Sequence, residues 1–490
     1  MGFLHSSSLF PFLLVFIVSF SWPITSSADI YGDFLHCLSS SSISNLVYTQ
    51  MNSSYSSILE STIHNSRFIT PTSPKPWVIV TPLHVSHVQA TIRCSKKHGL
   101  QLRTRSGGHD FEGVSYISES ESPFVIIDLA NLRSVQVDVE NEVAWVQSGA
   151  IMGELYYEIA QKSGTLAFPG ALCHGVAFGR YISGGGYGLL FRKYGLAADN
   201  VIDAEFIDAN GRILKQKING GRSVLGYSNC NNVFNKQNAG TKRHSNSPPL
   251  AIYFIQIPRR NVPFDHDINN EHHHPRRPEL NGGHHFQHHV LGRANELVSL
   301  MQNIFPELGL TSKDCNEMSF VESILALGLL PNQNLEILLD RNYRGIWSQL
   351  FEPEARGATL NFVAYSGKMD EIPESAVPFP HRKGNLYKIS YNIRWREEDN
   401  VNSERYIPWM RRLHSYMKSF VSKSPREAYV NYRDLDIGKN NEDGYTTYAQ
   451  MSTWGRTYFK NNFDRLVKIM TKIDPETFFR HQQSISPYFG

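Results

Sequence analysis

The chain has five cysteines among 490 residues, no apolar run long enough to cross a bilayer, and no real excess of either charge, with 48 Lys and Arg against 45 Asp and Glu. Each scarcity excludes something. A multi-span membrane protein needs repeated runs of roughly 20 apolar residues. A disordered chain needs low hydrophobicity with high net charge, and a 41% hydrophobic share with a formal charge of +3 does not fit. Nucleic acid is not expected as a partner, because Lys and Arg are spread along the sequence rather than clustered into a phosphate-binding patch. No metal site is expected either, since neither His-Glu-x-x-His nor paired cysteines accompany the histidines. A length of 490 residues leaves room for two or three domains with real cores.

The N-terminus carries an apolar run from Leu9 to Trp22 and then Ser26, Ser27 and Ala28. That pattern reads as a signal peptide over residues 1–28, cleaved near Ala28, with no membrane association afterwards. The expected location is secreted: extracellular or cell wall, or a vacuolar or endoplasmic-reticulum-derived compartment. In an oxidising compartment Cys37 and Cys94 can pair. Asn52-Ser53-Ser54 is a glycosylation sequon in polar surroundings.

Periodicity predicts a strand at Trp77 to Val80, a helix from Val85 to Lys97 ending at Gly99, and strands at Leu100 to Thr104 and Val125 to Leu129. A hairpin follows over Val135 to Trp145, then a helix from Met152 to Lys162, and a second hairpin around Asn210-Gly211 of the type I′ kind. The stretch 217–289 has little hydrophobic periodicity and holds eight of the twenty histidines between His266 and His289, so it reads as divergent, disordered low complexity. Patterning returns at Ala294 to Ile304, Phe320 to Leu330, Leu386 to Trp395, Tyr406 to Val421 and Phe459 to Ile473. The class is α+β.

Arg105-Ser106-Gly107-Gly108-His109 places paired glycines and a histidine at the end of a strand. Paired glycines let backbone approach a flat or phosphorylated ligand; taken alone, the loop reads equally as a turn with a surface histidine. Cys173 precedes Ser183-Gly184-Gly185-Gly186-Tyr187-Gly188, whose spacing is not the dinucleotide fingerprint of a Rossmann fold.

With Arg192 to Leu196, Asp199 to Ala204, His381 to Tyr387, Asn431 to Asp436 and Gln483 to Ile485, these motifs closely resemble the berberine bridge enzyme-like family of secreted plant flavoproteins. The resemblance covers Asp33 to Lys215 and Leu291 to Pro487. It implies a two-domain vanillyl-alcohol-oxidase (PCMH-type) FAD-binding fold, with a substrate domain of antiparallel sheet plus helices. FAD binding would occupy 29–216, the substrate domain 290–427, and a C-terminal segment 428–490 would complete both. FAD would be held bicovalently through His109 and Cys173, imidazole and thiolate being able to add to an electrophilic flavin. Ser106, Gly107, Gly108, Val176, Ser183, Gly184, Gly185 and Gly186 would line its site. Tyr187 and Tyr432 would handle the substrate hydroxyl proton, with Lys388 lowering a tyrosine pKa. Valine at position 176 favours oxygen access. The implied activity is an oxidase passing hydride from an alcohol, carbohydrate or alkaloid-like small molecule to flavin and then to O2, giving H2O2. The sequence leaves the oligomeric state open.

Three departures stand against direct carry-over. Phe111 and Ser390 replace a tyrosine and a Gln or Glu of many relatives, removing hydrogen-bonding groups. Phe178 and Arg180 add bulk where relatives run backbone close to flavin. The segment Ile218 to Asn281 lacks the family's glycine-rich motif, as altered coding sequence would, and the chain between Arg341 and Gly345 is shortened. The competing reading is a secreted, catalytically silent relative that retains no FAD.

Overall fold

The computed structural model describes residues 27–118, 122–217, 233–240, 252–256, 287–291, 293–304, 309–327, 335–339, 358–418, 421–424, 426–442 and 444–488. The expected signal peptide lies outside them except for Ser27 and Ala28, which open helix α1 (Ser27–Ser40). The shortening between Arg341 and Gly345 is likewise outside.

Strands β1 (Val47–Thr49), β2 (Val78–Val80), β3 (Gln101–Arg105) and β4 (Phe124–Asp128) form a sheet ordered β1-β2-β4-β3, with β4 parallel to β2 and β3. Parallel strands covered on both faces carry continuous apolar runs, and Val78 to Val80 and Val125 to Ile127 are all buried. One face packs on Val88 and Ile92 of α2 (Val85–Lys97), the other on Tyr55, Leu59 and Tyr116. A disulfide joins Cys37 of α1 to Cys94 of α2.

A second, antiparallel sheet is ordered β5-β6-β9-β7-β8, from β5 (Val135–Asp138), β6 (Val143–Val146), β7 (Val201–Ile207), β8 (Ile213–Lys217) and β9 (Val233–Gly240). The β7–β8 connection is a hairpin but not type I′, which needs positive φ at two residues. Gly211 has φ +72 while Asn210 does not share it, and Asp208 Oδ1 closes the loop on the Asn210 and Arg212 N–H groups.

Strand β9 lies in the stretch expected to lack regular structure, as do β10 (Ile252–Gln256) and most of β11 (Gln287–Leu291). With Asn-Lys-Gln-Asn at its centre, β9 shows no apolar pattern, and main-chain pairing to two neighbours sets its place. The rest of that stretch is outside the described residues.

The second half holds the antiparallel sheet β11-β10-β12, with β12 at Cys315–Met318, and the pair β13 (Ala358–Ala364) and β14 (Tyr387–Ile393). In the latter, Asn361 faces Ser390 and Val363 faces Lys388. Helices are α3 (Met152–Lys162), α4 (Phe178–Ser183), α5 (Ala294–Ile304), α6 (Phe320–Leu327), α7 (Ser403–Met417), α8 (Tyr448–Phe459) and α9 (Asn462–Ile473). Within the patterned stretch Phe459 to Ile473 the chain turns at Lys460, φ +44, between α8 and α9. Lys460 Nζ anchors that turn on Glu374 and Glu427.

The halves share one core. Ile324 and Leu325 of α6, with Tyr365, Phe379 and Tyr429, pack against Leu155, Phe178, Ile182 and Val201. The C-terminus returns to the first half, where Phe479 joins the α1–α2 core and Arg103 donates to the Arg480 carbonyl. The architecture is α+β, as expected. Among the described residues no helix is long and apolar enough to cross a membrane.

Candidate active site

Between the halves opens a cleft of about 2450 Å³. Strand β3 delivers the loop Ser106 to His109 to one wall. Beneath it Arg105, fully buried, places two nitrogens on Asp128 Oδ2 at 2.6 and 3.1 Å and two more bonds on the Leu59 and Ile58 carbonyls. Gly108 has φ +67, and a Cβ there would meet the Thr62 carbonyl oxygen at 1.7 Å, so only glycine fits. Gly107 rests on Ala177, and Ser106 Oγ donates to the Ser148 carbonyl at 2.6 Å.

His109 stacks on His64, ring centroids 3.8 Å apart, and donates from Nε2 to the Gly175 carbonyl at 3.0 Å. The tautomer is thereby set, leaving the lone pair on Nδ1. Burial first, and then the neighbouring His64, pushes the imidazole pKa down to about 3, so the ring is neutral. Burial pushes the Cys173 thiol up, with Arg394 pulling the other way. Both residues line the cleft, as do Ser106, Gly107, Gly108 and Val176. Ser183 and Gly184 to Gly186 do not. They stand behind the wall, where Ser183 Oγ donates to the Arg180 carbonyl, Gly184 leaves space for Asn431, and the Gly186 N–H donates to Tyr429 Oη.

Tyr187, Tyr432 and Lys388 converge. The two phenol oxygens are 2.5 Å apart. Lys388 Nζ, buried, with no hydrogen-bond partner among the described residues, lies 3.5, 4.2 and 4.8 Å from the ring centroids of Tyr187, Tyr432 and Tyr429. The lysine therefore meets ring faces rather than phenol oxygens, a cation–π arrangement. Burial pushes its pKa well below the ordinary lysine value. Burial raises both tyrosines, and their mutual hydrogen bond acts in opposite senses, raising Tyr187 and lowering Tyr432. Either hydroxyl can donate to the other, so one of the pair can hold the other's oxygen.

Of the departures, Phe111 is 43% exposed and meets Tyr432 edge-on at 5.6 Å. Ser390 lines the cleft between Lys388 and Arg394 along β14. Phe178 does not obstruct the cleft: it is fully buried against Phe168. Arg180 is accommodated by an ion pair with Asp110 at 3.2 Å. Sequence reasoning missed Tyr429, Arg394 and the pairing of His381 Nδ1 with Glu427 at 2.8 Å. Each is supplied by a segment remote from its partner, with no local signal.

The wall suits FAD. Ser115 and Ser148 present buried hydroxyls to the cleft with no partner among the described residues, the paired glycines leave backbone accessible, and a neutral imidazole and a thiol stand as nucleophiles. Residues 76–216 match the family described as FAD binding domain, and residues 428–486 match berberine and berberine like. Berberine bridge enzyme-like 24 of Arabidopsis thaliana is 40% identical over 541 aligned positions, covering 97% of each chain. Tetrahydroberberine oxidase of Berberis wilsoniae is 40% identical, covering 95% of this chain and 96% of its own. Among solved structures, Phl p 4, a grass pollen allergen with glucose dehydrogenase activity, superposes with a TM-score of 0.81 at 34% identity over 94% of this chain and 100% of its own.

Proposed function

Because the chain belongs to the berberine bridge enzyme-like family of FAD-binding oxidoreductases, we propose that it is a secreted oxidase of a small hydroxyl-bearing molecule, its flavin tethered through His109 and Cys173. The observation that carries this reading is the Tyr187–Tyr432 pair, with Lys388 Nζ over its rings, in the same cleft as His109 and Cys173. Bound FAD supplies the hydride acceptor and the route of electrons to O2, releasing H2O2. His109 offers Nδ1 for attachment, its other nitrogen being held by Gly175. Tyr432, as a phenolate accepting a hydrogen bond from the Tyr187 hydroxyl, takes the substrate hydroxyl proton and becomes the neutral phenol, and Lys388 offsets the phenolate charge before the transfer.

Relatives named as an alkaloid oxidase and as a glucose dehydrogenase mark the range of substrates, from alkaloid-like molecules to alcohols and carbohydrates. Val176 on the cleft supports oxygen access, and Val176→Leu is expected to slow reoxidation by O2 while leaving anaerobic reduction unchanged. Asn52 is exposed, with Oδ1 bound by Thr49, which supports its glycosylation. The secreted product should begin near Ala28 and shift in mass on deglycosylation.

The deciding experiment is secreted expression and denaturing precipitation. Yellow flavin staying with the pellet, and peroxide release from a substrate panel, are expected. A colourless pellet from soluble, folded protein would establish the catalytically silent reading instead.

A further inference from the structure

We propose that Arg180 is an anion-binding residue for the diphosphate of the dinucleotide cofactor. The proposal rests on the FAD reading above. Arg180 lies on α4, lines the cleft, and is 26% exposed. One guanidinium nitrogen, Nη2, is 3.2 Å from Asp110 Oδ2, and the other two have no partner among the described residues. A guanidinium carries five N–H donors, so most of them are without a partner among the described residues, on a side chain that lines the cleft.

Asp110 is itself held in place. Its side chain is 1% exposed, its Oδ1 accepts the Glu112 N–H at 3.0 Å, and its carbonyl accepts Tyr116 Oη at 3.1 Å. It thus sets a fixed counter-charge 3.2 Å from Arg180, next to His109, without a hydrogen bond to the guanidinium among the described residues. Ser148 is contiguous with the same spot: its carbonyl accepts both Ser106 Oγ and the Gly179 N–H, and its own hydroxyl is buried and unpartnered. Ser115, also on the lining, presents a second such hydroxyl.

Unpaired guanidinium donors, two free hydroxyls and accessible glycine backbone together form a site for a phosphorylated anion. The flavin ring, the sugars and the adenine are uncharged at neutral pH, which leaves the diphosphate as the anionic part of the cofactor. Without Arg180, the buried Asp110 carboxylate would repel it.

The test uses ADP, which carries the diphosphate without the flavin, titrated calorimetrically into the full-length chain produced flavin-free from riboflavin-starved cells. Arg180→Gln should weaken ADP on the order of tenfold and flatten its salt dependence, while Arg180→Lys should recover part of the affinity. Arg180→Gln with Asp110→Asn removes the stranded carboxylate and must still bind weakly. ADP affinity unchanged in either Gln variant would overturn the proposal. So would a loss confined to KM for an acidic substrate, which would assign Arg180 to substrate. Flavin retention by the unaltered chain is read separately. ADP binding through Arg180 with no flavin retained would sink the oxidase reading alone.

Discussion

The hydroxyl of Tyr187 stands 2.5 Å from that of Tyr432, and burial raises the pKa of both. The proposed function gives these two chemically identical side chains different parts, with Tyr432 as the base. Tyr432→Phe should lower kcat by about 10² to 10⁴. Tyr187→Phe should cost less, and the double variant should match Tyr432→Phe alone. Stopped-flow flavin reduction under anaerobic conditions reads the ranking. Equal losses for the two single variants would refute the assignment.

Lys388 Nζ lies over three phenol rings, and in the proposed function it favours the phenolate form of the base. A base that works deprotonated gives a rate that rises with pH through its apparent pKa. Removing a nearby cation moves that pKa upward, by about 1 to 3 units for charges this close. Lys388→Met should therefore shift the rising limb of kcat/KM to higher pH. An unshifted profile with a lower plateau would leave Lys388 a packing residue.

Glu427 links the cleft to the C-terminal helices. Burial alone would raise its pKa, but hydrogen bonds from His381 and Lys460 overcome that and hold it at about 2. The unfolded value is higher, about 4.3, so the stabilisation is present above that pH and lost as pH falls toward 2. It amounts to at most about 3 kcal/mol. Chemical unfolding at pH 6 and pH 3 should show stability falling with acid, and Glu427→Gln should have a shallower dependence over that window.

The Cys37–Cys94 disulfide closes a loop with a sequence separation of 57. Restricting the unfolded chain to that extent is worth about 4 kcal/mol. Cys37→Ser should lower the thermal midpoint by several degrees, and a reducing agent should lower the unaltered protein's midpoint alike while leaving the variant's unmoved.

The helices Val85–Lys97 and Met152–Lys162 were legible to the residue because apolar spacing and a following glycine mark their ends. Tyr187, Tyr432, Lys388, His109 and Cys173 were singled out through family motifs, and the cleft gathers all five, which leaves their roles as proposed. Strand β9 was not, since backbone pairing alone places it. Nor was the break at Lys460, where two carboxylates from distant segments hold the turn. Ser183 to Gly186 looked like ligand-binding glycines, yet Gly184 leaves space for a neighbouring asparagine rather than for a ligand. Arg180 read as an obstruction because its counter-charge, Asp110, lies some seventy residues earlier.

Phe479 sits in the core of the first half, and the carbonyl of Arg480 receives Arg103 from β3. The amino-terminal half is thus sealed by a residue 377 positions further along the chain. During translation it must wait, with part of its apolar interior uncovered, until that distant segment has emerged from the ribosome. A stop codon ahead of Phe479 would remove the seal, and a polypeptide carrying every residue of the cleft would go to quality control instead of to its cofactor.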